Sequence, residues 1–143
     1  MRNLFLAAIF LISLSSMAQK LGPDHIIGVW QSEDYKIEFF KQGDIYSAKL
    51  LWSREMFEPD GNTPKKDVHN PDENLRDRPI KGITHITELV YGGGEYKNGK
   101  LYSVQDGNTY SFKGELQSEN ELETRAFKGV TLLGRTIHWT RVP

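Results

Sequence analysis

Cysteine is absent from the 143 residues. That excludes disulfide staples, thiol nucleophiles, thiolate metal sites and lipoprotein anchoring through a cysteine. An excess of basic charge is also missing, since 18 Lys and Arg stand against 19 Asp and Glu, for a net charge of −1. A nucleic-acid binder needs a basic patch to neutralise phosphates, so nucleic acid is not an expected partner. No stretch carries the apolar period of an amphipathic helix. The longest apolar run, Leu4 to Leu14, falls short of the ~20 residues that a permanent membrane span needs. Gly-x-Ser-x-Gly and phosphate-loop motifs are lacking, and nothing marks Ser53, Ser103 or Ser111 as a nucleophile.

What is present begins with a leader. Met1-Arg2-Asn3 is a short basic start, Leu4 to Leu14 is apolar, and Ser16-Met17-Ala18 supplies small residues at −3 and −1 of a cleavage point. This is the pattern of a secretory signal over residues 1–18. Its removal leaves Gln19 to Pro143 as one domain with no membrane anchor, and the loss of Arg2 takes the net charge to about −2. The expected location is the periplasm or the extracellular space. A monomer is expected.

The rest of the chain alternates with a period of two. Strands are expected at Ile26 to Trp30, Tyr35 to Phe39, Ile45 to Trp52, Ile83 to Tyr91, Lys100 to Ser103, Thr109 to Leu116, Glu121 to Phe127 and Arg135 to Val142. Tyr46, Ala48, Leu50 and Trp52 are expected on one face. Asn98-Gly99 and Asp106-Gly107 read as two-residue hairpin turns. About eight short strands with regular turns predict an all-β, antiparallel, up-and-down barrel, which removes exposed edges and leaves room for packed side chains or one small ligand. Gly28-Val29-Trp30 near the start and Arg141 near the end look like a lipocalin-type closure, in which a Gly-x-Trp on the first strand packs beneath a basic side chain from the last. Trp139 is assigned to the same closure.

One stretch departs from this pattern. The chain is irregular from about Ser53 to Lys81, and within it runs a polar block, Asp67-Val68-His69-Asn70-Pro71-Asp72-Glu73-Asn74-Leu75-Arg76-Asp77-Arg78-Pro79-Ile80-Lys81-Gly82. Loops of this length inside a compact domain usually carry function or are disordered. Asp72 is expected to cap one short helical turn, with Leu75 pointing into the barrel as a plug.

Taken together, these segments resemble a bacterial exported family known as domain of unknown function 2147. The resemblance rests on Ile27-Gly28-Val29-Trp30, on the Asp67-x-x-Asn70-Pro71-Asp72-x-x-Leu75-Arg76-x-Arg78-Pro79-x-x-Gly82 block, and on Gly99-Lys100-Leu101-Tyr102 with Asp106-Gly107-x-Thr109-Tyr110 and Trp139-Thr140-Arg141. The chain departs from many members where Tyr96 stands in place of a Trp. The resemblance implies a lipocalin-like barrel and an exported protein. It brings no catalytic assignment.

Asp67, Asn70, Asp72, Arg76 and Arg78 are the central candidates for a binding surface at the barrel mouth. The two arginines have the forked geometry to hold a carboxylate or phosphate. The bland alternative is a loop pinned by Asp–Arg pairs and Asx turns. Tyr102 and Tyr110 are candidates for the wall of a ligand cavity. His25, His69, His85 and His138 lack metal-site spacing, and Asp60-Gly61-Asn62 lacks the remaining ligands of a calcium loop, so neither a metal nor a cofactor is expected. The leading expectation is a non-enzymatic barrel that binds a small, partly apolar or anionic ligand or an envelope component, through a cavity open where the polar block sits. The alternatives are an acid/base hydrolase or lyase using Asp67, His69 or Asp72 with Arg76 or Arg78, and a protein–protein interaction module built on the charged block.

Overall fold

The computed structural model describes residues 21–143; the leader expected over residues 1–18 lies outside the described residues. Eight antiparallel strands run in sequence order around a closed barrel. They are β1 (Gly28–Gln31), β2 (Tyr35–Gln42), β3 (Ile45–Ser53), β4 (Thr84–Gly92), β5 (Glu95–Tyr102), β6 (Thr109–Ser118), β7 (Glu121–Phe127) and β8 (Gly134–Arg141). Pairing of Trp30 with Arg141 joins β1 to β8 and closes the ring. Inward positions at alternate residues build the core from Ile37, Phe39, Tyr46, Ala48, Ile86, Leu89, Phe112 and Leu122, all at most 3% exposed. Each large apolar side chain taken from water in this way contributes ~1.5–3 kcal/mol.

One end of the barrel is sealed by the segment before β1. A single 3-10 turn, Pro23–Ile26, places Ile26 at 0% exposure under the strands. Tyr46 donates to Asp24 Oδ1 at 2.5 Å, and the Tyr96 hydroxyl donates to the Pro23 carbonyl. Ile26, read from the alternation as a strand residue, therefore belongs to this plug, and β1 begins two residues later.

Asn98-Gly99 is not a hairpin turn. It lies inside β5, and the β4–β5 turn is made by Gly93 and Gly94, both at positive φ. Asn98 takes φ +61, and the register between β5 and β6 shifts between Tyr96 and Gly99. A Cβ on Gly99 would meet Leu89 Cδ1 at 2.7 Å and the Phe112 carbonyl at 3.0 Å. The dipeptide thus serves an irregular strand and a close approach of core atoms.

A second irregularity changes which residues face inward. The β2–β3 register shifts between Lys36 and Ile37, so Ser53 is buried and Trp52 is 38% exposed instead of sharing the inner face with Leu50. The long β3–β4 connection is tied down by Met56, Ile80 and Ile83 in the core and by isolated bridges Phe57–Pro64 and Lys66–Pro79.

Candidate functional site

The irregular connection lies across the end of the barrel opposite the plug, and Asp67 is its hub. Its carboxylate is fully buried and receives three side-chain hydrogen bonds and an ion pair. Arg78 donates to Oδ2 through Nε at 3.0 Å, and its Nη2 forms an ion pair with the same oxygen at 2.9 Å. Asn70 Nδ2 donates to Oδ2 at 2.8 Å, and the Tyr102 hydroxyl donates to Oδ1 at 2.7 Å. The backbone repeats the link, with Asp67 N donating to the Arg78 carbonyl at 2.9 Å. A buried carboxylate is tolerated only when it is paired and hydrogen-bonded in this way. Burial, together with the bond to Asp67, pushes the Tyr102 phenol up to about 12.

The remaining members of the polar block are also engaged. Arg76 Nε donates to the Asn70 carbonyl at 2.7 Å. Asp72 N donates to Asn70 Oδ1 at 2.9 Å, and Asp72 Oδ1 accepts from Asn74 N at 3.0 Å, capping the 3-10 turn Glu73–Leu75. Leu75 is 37% exposed and does not plug the barrel; the turn is held outside the core by its caps. The β5–β6 turn packs against the block so closely that a Cβ on Gly107, at φ +73, would stand 2.0 Å from the His69 carbonyl oxygen.

Beneath this loop the barrel holds a cavity of about 850 Å³. Its depth is apolar, with Leu50, Ile86, Leu101, Phe112, Ile137 and Trp139 on the wall. Its rim includes Glu55, Lys65, Lys66, His69, Asp106 and Arg135, with Leu133 from the β7–β8 connection. Tyr102 and Tyr110 line it; Asp67, Asn70, Asp72, Arg76 and Arg78 do not. Tyr110 is at the rim, where its hydroxyl donates to Asp106 Oδ2 at 2.5 Å and holds that carboxyl below its ordinary range. The polar block thus forms a brace beside the opening, with its arginines turned to protein acceptors.

The closed end is equally specific. The Arg141 guanidinium lies 4.3 Å from the Trp30 ring centroid. It donates to the carbonyls of Glu119 at 2.8 Å, Ile27 at 3.1 Å and His25. Gly28 takes φ +125, and a Cβ there would meet Arg141 Nη1 at 3.2 Å. Trp139 is not part of this closure. It stands two residues earlier on β8, one inward step towards the open end, in the cavity wall, where Nε1 donates to Thr124 Oγ1 at 2.8 Å.

His85 is the residue that the sequence pattern did not single out. Ala48 pairs with Ile86 and Lys49 with Thr84, so His85 is the extra residue of a bulge in β4. A bulge re-aims a side chain, and this one sends the imidazole into the cavity wall at 8% exposure. Nδ1 lies 3.2 Å from the Ala48 carbonyl oxygen. A carbonyl only accepts, so the proton sits on Nδ1 and the neutral ring keeps an acceptor at Nε2. Burial lowers the imidazole from its ordinary 6.5 to about 4, so it is neutral near pH 7. No group of His, Asp and Glu among the described residues is arranged to hold a metal ion.

The fold and the open-ended cavity define a lipocalin-like barrel. A solved structure described as protein HP1028 from the human pathogen Helicobacter pylori, belonging to the lipocalin family, is similar at a TM-score of 0.72 and 28% identity, over 82% of this chain and 83% of that one. The chain belongs to the family described as uncharacterized protein conserved in bacteria (DUF2147), whose model matches residues 28–141. No curated protein matches it.

Proposed function

We propose that this protein is an exported, monomeric barrel that binds one small, largely apolar ligand. The observation that carries the reading is the cavity of about 850 Å³ with an apolar depth and a polar rim, within the size range and chemistry of small-molecule sites. Export rests on the leader pattern of residues 1–18, and mass measurement of the protein isolated from its host tests it, the expected amino terminus being Gln19. The engagement of Asp67 by Arg78, Asn70 and Tyr102, and of Arg76 by the Asn70 carbonyl, supports a bracing role for the polar block and gives no support to an acid/base centre there. Native mass spectrometry of host-purified protein tests the binding reading. A co-purifying compound retained by Arg76→Ala and lost in Ala126→Trp, which fills the cavity wall, is the expected result.

A second reading, docking of the open end on an envelope surface, is favoured by one observation. Val130, Leu132 and Leu133 of the β7–β8 connection are 58%, 89% and 70% exposed. Arg125 fixes that loop, donating to the Thr131 carbonyl at 2.6 Å and the Leu132 carbonyl at 3.2 Å. The loop adjoins the cationic rim residue Arg135, with Lys65 and Lys66 on the same rim, a combination suited to a lipid surface bearing anionic headgroups.

A further inference from the structure

We propose that the cavity selects an uncharged apolar molecule carrying a hydroxyl group, which donates its proton to Nε2 of His85. The inference rests on the binding reading above and names the ligand chemistry. Its basis is a ring nitrogen without a protein partner that opens on the cavity. Nδ1 is committed to the Ala48 carbonyl, and no described group donates to Nε2. Nε2 is also not sealed in protein, because the described residues hold no fully buried side-chain nitrogen or oxygen that lacks a partner. His85 lines the cavity, so Nε2 opens on that space.

The bulge in β4 sets this orientation. Regular alternation would have turned His85 away from the barrel, since its neighbour Ile86 faces the core opposite Ala48. His85 is the second residue of β4, at the mouth end, and shares the cavity wall with Ile86, Leu101 and Tyr102. When an apolar ligand displaces water from this wall, an acceptor left empty costs its desolvation, and a ligand donor that fills it avoids that cost. A carboxylate placed there would set its negative charge against the imidazole lone pair. An ether of the same length would leave the acceptor empty. Of these three head groups only the hydroxyl satisfies the acceptor.

The test uses the mature protein with three matched probes, 1-dodecanol, dodecyl methyl ether and dodecanoate, each measured by displacement of the fluorescent amine N-phenyl-1-naphthylamine at pH 7.5. A hydrogen bond of ordinary strength corresponds to about a fivefold preference for the alcohol over the ether. The alcohol is also expected to displace the fluorophore at lower concentration than dodecanoate. His85→Leu is expected to bring the alcohol-to-ether ratio close to one while still binding the fluorophore, and His85→Gln, which keeps an acceptor, to retain part of it. Equal affinity of alcohol and ether in the wild-type protein overturns the proposal, as does a ratio unchanged in His85→Leu. Strongest binding by dodecanoate overturns it too, and places the head group at the rim cations. Should His85→Leu fail to fold, the wild-type ratio and His85→Gln decide. Failure of the fluorophore and all three probes to bind overturns the cavity reading itself, whereas binding without preference overturns only the role of His85.

Discussion

The hydroxyl of Tyr102 donates to Oδ1 of Asp67 at 2.7 Å, a bond that spans 35 residues of sequence and ties the barrel wall at the end of β5 to the loop between β3 and β4. Arg78 completes the contact from the loop side, with its guanidinium carbon 5.9 Å from the Tyr102 ring centroid. The loop is therefore fastened to the rim by one buried carboxylate, and its removal has a definite expected outcome. Asp67→Ala leaves Arg78, Asn70 and Tyr102 without their acceptor and costs about 3 kcal/mol, towards the low end for a broken buried pair because Arg78 remains partly exposed. Tyr102→Phe removes one bond and costs about 1 kcal/mol. Urea denaturation of both variants and of the double variant measures this. A double-variant loss equal to the sum of the single losses would show that the bond carries no coupling.

How far the sequence alone reaches is visible in these same residues. Strand periodicity placed all eight strands, because inward and outward residues alternate strictly wherever register is regular. It went wrong where register breaks, at the Asn98-Gly99 turn and at Trp52, because an irregularity adds a residue and reverses the face of those after it. Composition marked the polar block as exceptional. It did not reveal that Asp67 is its hub, since which of several carboxylates is buried depends on the partner strand that supplies Tyr102. His85 had no sequence signal at all, and only the mismatch in strand pairing between β3 and β4 exposes it.

Acid conditions provide a test of His85 independent of any ligand. Its folded value of about 4 lies below the ordinary 6.5, so between those limits the unfolded chain binds a proton that the folded protein refuses. The resulting stability is fully present above about pH 6.5. It declines on acidification towards pH 4, below which both states are protonated and no further loss arises from this group. Over the whole window the loss is on the order of 3 kcal/mol. Unfolding by urea at pH 7 and pH 5 is expected to show a drop in the wild-type protein that is clearly smaller in His85→Gln. The measurement stays above the range in which Asp24, Asp60 and Asp106, whose values are held low by hydrogen bonds, begin to contribute.

At the closed end, Gly28 and Arg141 constrain each other. An alanine at residue 28 must hold φ near +125 and push its methyl group against Arg141 Nη1. Gly28→Ala is expected to cost about 1–3 kcal/mol. Arg141→Lys keeps the charge but loses the fork that reaches three carbonyls, and is expected to cost about 1–2 kcal/mol. Thermal unfolding of both variants is the check. Since the cavity opens at the opposite end, ligand affinity measured well below the melting temperature should remain within twofold of wild type. A large change in affinity would mean that the plug and the cavity are coupled.

The β7–β8 loop separates docking from folding, because its apolar side chains contribute to no core. Leu132 and Leu133 are 89% and 70% exposed, so Leu132→Ser with Leu133→Ser removes little buried area. It should leave the melting temperature within about 2 °C of wild type, the small effect usual for exposed positions. Arg125 holds the loop through the backbone carbonyls of Thr131 and Leu132, so the double variant keeps the loop shape while losing its apolar surface. If the open end docks on lipid, the wild-type protein co-sediments with vesicles containing phosphatidylglycerol. The double variant is then expected to lose most of that binding, and added salt to weaken the wild-type binding through Lys65, Lys66 and Arg135. Equal sedimentation of wild type and variant would remove the lipid surface as the occupant of this rim while leaving the cavity reading in place, since that reading rests on the apolar depth and not on Leu132 or the rim residue Leu133.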